Sequence, residues 1–133
     1  MGTVDYSHAI EVDRDFDEVV AATRDALTAE GFGVLTEVDV KATLKTKIGV
    51  DRDEYVILGA CNPALAHQAL EAEPELGVFL PCNVVVYRTA GKTRVSAVSA
   101  EQMLGLVGND QLTPVAGEVA ERLKRVVAAV AAG

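Results

Sequence analysis

The longest regular pattern in the chain lies near its end. Between Thr113 and Val130, the residues Ala116, Val119, Ala120, Leu123, Val126, Val127 and Val130 return at the three- and four-residue steps of one helix face. Glu118, Glu121, Arg122, Lys124 and Arg125 take the opposite, wet side. A long helix with an apolar stripe of Val, Ala and Leu must lie on an equally apolar surface, and such small aliphatic side chains suit the face of a sheet. Thr113-Pro114 supplies the helix start, with Thr113 as the cap and proline at the first helical position.

The remainder of the chain supplies that sheet. Residues 4–12 alternate, with Val4, Tyr6, His8, Ile10 and Val12 on one side and Asp5, Ser7 and Glu11 on the other, which predicts a strand with one wet face. Asp15 stands three residues before Glu18, the spacing of a reciprocal capping box, and Phe16, Val19, Val20, Thr23 and Leu27 follow at helical steps. Gly31 closes this helix. Phe32–Val38 predicts a second strand, and Val40, Leu44 and Ile48 a short helix over 39–48 ending at Gly49. Tyr55–Ala60 reads as a buried strand. Asn62-Pro63 then caps a helix running to about Glu73, where Pro74 and Gly77 stop it. Residues 78–88 return to strand, with Pro81 marking an edge, a bulge or the strand's beginning. Thr89-Ala90-Gly91-Lys92 turns into a strand over 93–99, and an irregular stretch with Gly105 and Gly108 leads to the last helix.

The predicted fold is therefore α+β, in the order β-α-β-α-β-α-β-β-α, with about five strands and the two long helices packed on one face. At 133 residues, half of them apolar, the chain is one domain, 1–133, able to build a core without disulfides. Val56, Leu58, Val84 and Val86 sit in strands that read as apolar on both sides, so the second face also calls for cover, which a second copy of the chain would provide.

Charge narrows the partners. Twelve basic against twenty acidic residues give −8, a field that repels phosphate backbones and anionic lipid, so neither nucleic acid nor membrane is expected as a partner. No apolar run approaches the roughly 20 residues of a membrane span, and Met1–Val12 carries Asp5 and Glu11, unlike a secretory signal. With only Cys61 and Cys82, the expected compartment is the cytoplasm, where both thiols are reduced.

Those two cysteines share a local pattern, each followed by asparagine: Cys61-Asn62 and Cys82-Asn83. Cys61 comes where a strand hands over to a helix, so helix N–H groups and the positive dipole end would favour its thiolate or a bound anion. That predicts Cys61 as the more acidic thiol; the plainer alternative is a small residue packed at a strand end. Cys82 is expected beside it across the sheet, although 20 intervening residues make no ligand knuckle. His67 lies on the helix after Cys61, a rise of roughly 7–8 Å from the cap. It is better placed for Glu71, one turn on, or as a surface or interface residue. His8 reads as a hydrogen-bonded core or interface histidine, and Lys41, Lys45 and Lys47 as a solvated helix face rather than an anion site.

The segments Gly31-Phe32-Gly33-Val34-Leu35-Thr36-Glu37, Leu58-Gly59-Ala60-Cys61-Asn62-Pro63, Ala66-His67, Ala69-Leu70-Glu71 and Leu80-Pro81-Cys82-Asn83-Val84 resemble, in this order, the domain-of-unknown-function family 302. The resemblance spans nearly the whole chain and implies a compact α+β domain that forms a homodimer, with no established activity.

Three functional readings stand. The first is a non-catalytic homodimeric binding or interaction module. The second is a small-molecule or anion-binding domain whose candidate pocket comprises Cys61, Asn62, His67, Cys82 and Asn83. The third is a thiol enzyme or soft-metal-handling protein using Cys61 and Cys82. No catalytic residue, cofactor or defined metal site is indicated, and there is no phosphate loop, dinucleotide fingerprint or serine elbow.

Overall fold

The computed structural model describes residues 4–133; Met1–Thr3 lie outside them. Five strands form one antiparallel sheet: β1 (Ser7–Val12), β2 (Gly33–Asp39), β3 (Tyr55–Cys61), β4 (Cys82–Thr89) and β5 (Lys92–Val98), in the spatial order β1-β5-β4-β3-β2. The chain lays down one edge, crosses to the other, and fills inward until β5 pairs with β1. The helices are α1 (Phe16–Ala29), α2 (Val40–Ile48), α3 (Pro63–Ala72), α4 (Ala100–Gly105) and α5 (Thr113–Ala132). The α+β order predicted above is the observed one.

Alternation along the strands sorts the two faces. Val56, Leu58 and Ala60 of β3, Val84 and Val86 of β4, and Val95 and Ala97 of β5 are buried beneath α1 and α5, which pack on each other and on this face. Val119, Leu123, Val126 and Val127 of α5 and Val19 and Leu27 of α1 fill the layer between. So Val56, Leu58, Val84 and Val86 all point to the helix side. The apolar residues on the opposite, open face are different ones: Ala9, Val85, Ile57 and Val38, in one row across the paired strands with Ser96 among them.

Local chemistry fixes most boundaries. Asp15 Oδ2 accepts the Glu18 N–H at 3.3 Å, as a cap should, but Glu18 does not reciprocate; its carboxylate takes Arg14 Nε at 3.0 Å. Gly31 and Gly49 follow α1 and α2 at φ of +84° and +69°, the left-handed residues that end helices. The hairpin between β4 and β5 turns on Ala90 and Gly91, both at positive φ, as a two-residue turn of the I′ kind requires.

Several boundaries differ from expectation. β1 starts at Ser7 rather than Val4. β4 starts at Cys82, because Pro74–Phe79 winds as a 3-10 helix that leaves Val78 exposed, and Pro81 marks the strand's beginning. The stretch expected to be irregular contains α4, whose first turn is capped by Ser99 Oγ accepting the Gln102 N–H. α5 begins at Thr113, but Leu112 occupies the cap position and no side chain caps the helix. Thr113 is therefore inside the first turn.

Two stability predictions follow from these termini. Asp15→Ala should cost about 1 kcal/mol in urea unfolding, the usual loss for a cap. Thr113→Ala, exposed and outside the cap, should stay within about 0.5 kcal/mol of the parent; a loss as large as that of Asp15→Ala would mean Thr113 does cap α5. At the hairpin, Ala90 at φ +49° pays for a conformation that asparagine tolerates better. Ala90→Asn should raise stability by about 0.5–1 kcal/mol with an unchanged denaturant slope; no gain would show that the turn is relaxed with alanine.

Candidate functional site

β3 leaves the sheet at Cys61, and the next two residues turn the chain into α3. Asn62 is extended and its Oδ1 accepts the Leu65 N–H at 3.2 Å, while Pro63 occupies the first turn. Gly31, at the end of α1, packs directly on this cap: a Cβ there would stand 3.0 Å from Asn62 Nδ2. Arg122 of α5 reaches the same corner and donates to the Glu30 carbonyl at 2.8 Å, placing a cation at the negative end of α1. Two residues earlier in β3, Gly59 is crowded by Thr36 and Pro81; a Cβ would meet Thr36 Oγ1 at 2.1 Å and Pro81 Cγ at 2.8 Å. Glycine at 59 thus lets Pro81 lie close over β3, at the point where β4 begins.

The result is a cavity of about 40 Å³ bounded by the end of β3, the start of β4, α3, α4 and α5. Cys61, Asn62 and Cys82 line it, together with Pro81, Leu65, Ala66, Met103 and Val119, and no charged side chain does. Ala60 pairs with Cys82 in the ladder, so Cys61 and Cys82 are diagonal neighbours, as expected. Both thiols are free. Burial pushes the Cys82 thiol up to about 11, with the nearby Cys61 adding to the shift. At neutral pH Cys82 is a protonated thiol, a poor nucleophile.

The other two members of the candidate pocket lie elsewhere. Asn83 follows Cys82 by one residue and so points to the opposite face of the sheet, where it is exposed opposite Gly59. His67 is 75 % exposed on the outside of α3, with Nδ1 4.0 Å from Glu71 Oε1, the i,i+4 partner expected. The cavity therefore joins Cys61, Asn62 and Cys82 without His67 or Asn83. Asn62 Oδ1 is committed to the cap. Its apolar lining gives an anion nothing to pair with.

The remaining polar candidates are also placed. Lys41 and Lys45 pair with Glu54 at 3.9 Å and Asp51 at 3.1 Å on an exposed helix. His8 sits on the helix side of β1 with Nε2 buried and, among the described residues, without the hydrogen bond expected of it. Among the described residues, no group of three His, Cys, Asp or Glu side chains could hold a metal ion. Met103 was missed because its helix was read as irregular; the Ser99-x-x-Gln102 pair was the signal that a helix starts there.

The family model described as Domain of unknown function DUF302 matches residues 8–130. The chain belongs to the DUF302 family. A solved structure, an uncharacterized conserved DUF302 protein from Bacillus stearothermophilus, is similar at 28% identity and a TM-score of 0.89, covering 96% of this chain and 99% of that one. No curated protein matches. The DUF302 fold is thus shared along the whole sheet, and the corner holding Asn62 falls within the matched residues. No described helix is long and apolar enough to cross a membrane.

The two thiols should react differently. With iodoacetamide at neutral pH the native protein should label half-buried Cys61 and spare Cys82, whose labelling should accelerate as pH approaches 11. The ordering stems from the burial of Cys82. Equal rates at neutral pH, read by peptide mass spectrometry, would contradict it.

Proposed function

We propose that this DUF302 chain is a non-catalytic binding module of the cytoplasm that works as a homodimer, with the open face of the sheet as the contact between copies. The observation that carries this reading is the composition of that face. One row across it reads Ala9, Ser96, Val85, Ile57 and Val38, and the next reads Glu11, Arg94, Tyr87 and Tyr55. The tyrosine rings stack at 4.9 Å, and Arg94 meets Glu11 at 3.1 Å. These two rows hold one positive and one negative side chain, paired with each other, in a chain carrying −8. Two acidic chains repel least where their surfaces are neutral, and the half-buried valine, isoleucine and tyrosines gain by losing water there.

A non-catalytic role is supported by the state of the candidate groups. Cys82 is held protonated by burial, His67 faces solvent with only Glu71 beside it, and Asn62 Oδ1 is engaged in capping. A nucleophile needs a base within about 3 Å, and neither thiol has one among the residues lining the cavity.

Light scattering at micromolar concentration should report about 28 kDa, twice the 14.0 kDa of one chain. Val85→Lys, at the centre of the open face, should return the protein to about 14 kDa while leaving the fold intact. That substitution also lowers the net negative charge, so dissociation could not be blamed on overall repulsion. A parent protein of 14 kDa, or a variant that stays dimeric, would remove the open face as the contact.

A further inference from the structure

The net charge of −8 is spread unevenly along the chain. Residues 62–87 and 95–121 hold seven of the twenty acidic residues and none of the twelve lysines and arginines. α3, the 3-10 helix Pro74–Phe79, α4 and the first half of α5 lie in these segments, which carry nearly all of the excess. The same segments expose apolar side chains. Winding as a 3-10 helix buries Leu76 and turns Val78 outward, where it is 74 % exposed, with Phe79 exposed beside it. Single exposed aliphatic residues are ordinary, but Val78 and Phe79 line one hollow of about 360 Å³ together with Glu73, Glu75, Leu76 and Val107. Leu106, which precedes Val107 at the end of α4, is 78 % exposed. Asn109 Nδ2 donates to the Ala72 carbonyl at 3.1 Å and to Glu73 Oε1 at 3.2 Å, tying the loop after α4 to the end of α3. The two walls of the hollow are thereby held together. Its charged walls are the two carboxylates, and among the described residues no ion pair reaches either of them.

We propose that this hollow docks a cationic amphipathic segment of another protein, its aliphatic side chains on Val78, Phe79 and Val107 and its lysines or arginines on Glu73 and Glu75. The apolar walls gain by giving up water to aliphatic side chains, and the carboxylates select a cation beside them. Charge removes the other occupants. Anionic lipid and nucleic acid are repelled by segments that hold acids and no lysine or arginine. A second copy fits poorly, because its lysine-rich helix is α2, where Lys41 and Lys45 already pair with Glu54 and Asp51 of their own chain. The volume lies at the low end of the roughly 300–1,000 Å³ of organic-ligand pockets. Exposed walls suit side chains presented by a helix better than a free molecule that must be wrapped. A contact between copies across the open face uses other residues, such as Val85 and Ile57, so this docking does not rest on it.

The test is fluorescence anisotropy of a labelled peptide of about 14 leucine and lysine residues, leucines at helical steps, titrated with the full chain. Saturable binding of one peptide per chain is expected, weakening several-fold between about 0.05 and 0.3 M salt. Val78→Ser, at an exposed position, should weaken binding about 10-fold with an unchanged melting temperature. Glu73→Gln combined with Glu75→Gln should weaken it by a similar factor. Asp17→Asn combined with Asp25→Asn removes the same charge from α1 and should leave the parental affinity. Val85→Lys should also bind like the parent, which separates failure of this site from failure of the open-face contact. No binding by the parent, equal binding of a peptide with glutamate in place of lysine, or full affinity in Val78→Ser would each overturn the site. Equal losses in the α1 variant would reduce the effect to adsorption by net charge, and loss in Val85→Lys would move it to the open face; either overturns the site. Assembly beyond two chains that Val78→Ser abolishes would make a second copy the occupant and overturn the foreign segment.

Discussion

Leu58, Val84, Val86, Val95 and Ala97 are sealed completely, and what seals them is the stripe of α5 together with the inner side of α1. The leucine and three valines, each contributing on the order of 1.5–3 kcal/mol when buried, explain why the last helix must be in place before the sheet can be stable. They also explain the order of the strands. β1 is made first and β5 last, yet they pair, and α5 then runs back over both. Remove the apolar stripe of α5 and only α1 is left to cover that face.

Small side chains set the detail of that packing. A core of Val, Leu and Ala lets helices lie close to the strands, but where alanines meet from several elements there is too little volume to fill the space. Ala60, Ala66, Ala69 and Ala100 converge on the corner where β3 passes into α3, and the cavity lies among them. The same corner is stiffened from outside: the Leu65 N–H donates to Asn62, Gly31 packs against Asn62, and Arg122 donates to the Glu30 carbonyl. A small void beside two thiols, inside a rigid polar frame, is thus a consequence of which residues are alanine.

Much of this was legible in the sequence. Asp15, Asn62-Pro63 and Gly49 announce helix ends because capping and left-handed turns need those residue types, and tertiary context did not override them. Ala90-Gly91 marked its hairpin for the same local reason. Long-range order was not legible: nothing in the spacing of β1 and β5 says that they pair. Val78 and Phe79 look like strand because they are apolar, whereas a 3-10 turn uses the same two residues on the surface. The six residues of α4 are too few to show a helical period. At the site, the matching Cys-Asn pairs suggested one pocket for all four residues. Period-two alternation overrules that: if Cys82 faces inward, Asn83 faces outward.

That alternation also separates the two surfaces on which the functional reading depends. Cys82 and Ala60 face the helices and the cavity, whereas Asn83 and Gly59, one residue away in each strand, face the open side. A second copy laid on the open face would cover Val85 and Ile57, on the side of the sheet away from Cys82. A contact between copies and the cavity would then be joined through the shared backbone of β3 and β4. Such backbone is stiff: each residue from Val56 to Ala60 is held in a ladder on both sides, by β2 and by β4. Any coupling between the two surfaces must therefore travel as a shift of whole strands, for which the tight approach of Thr36 and Pro81 over Gly59 leaves little room. The physical expectation is two surfaces that act separately, with burial of the open face in a dimer leaving the cavity beside Cys82 unchanged.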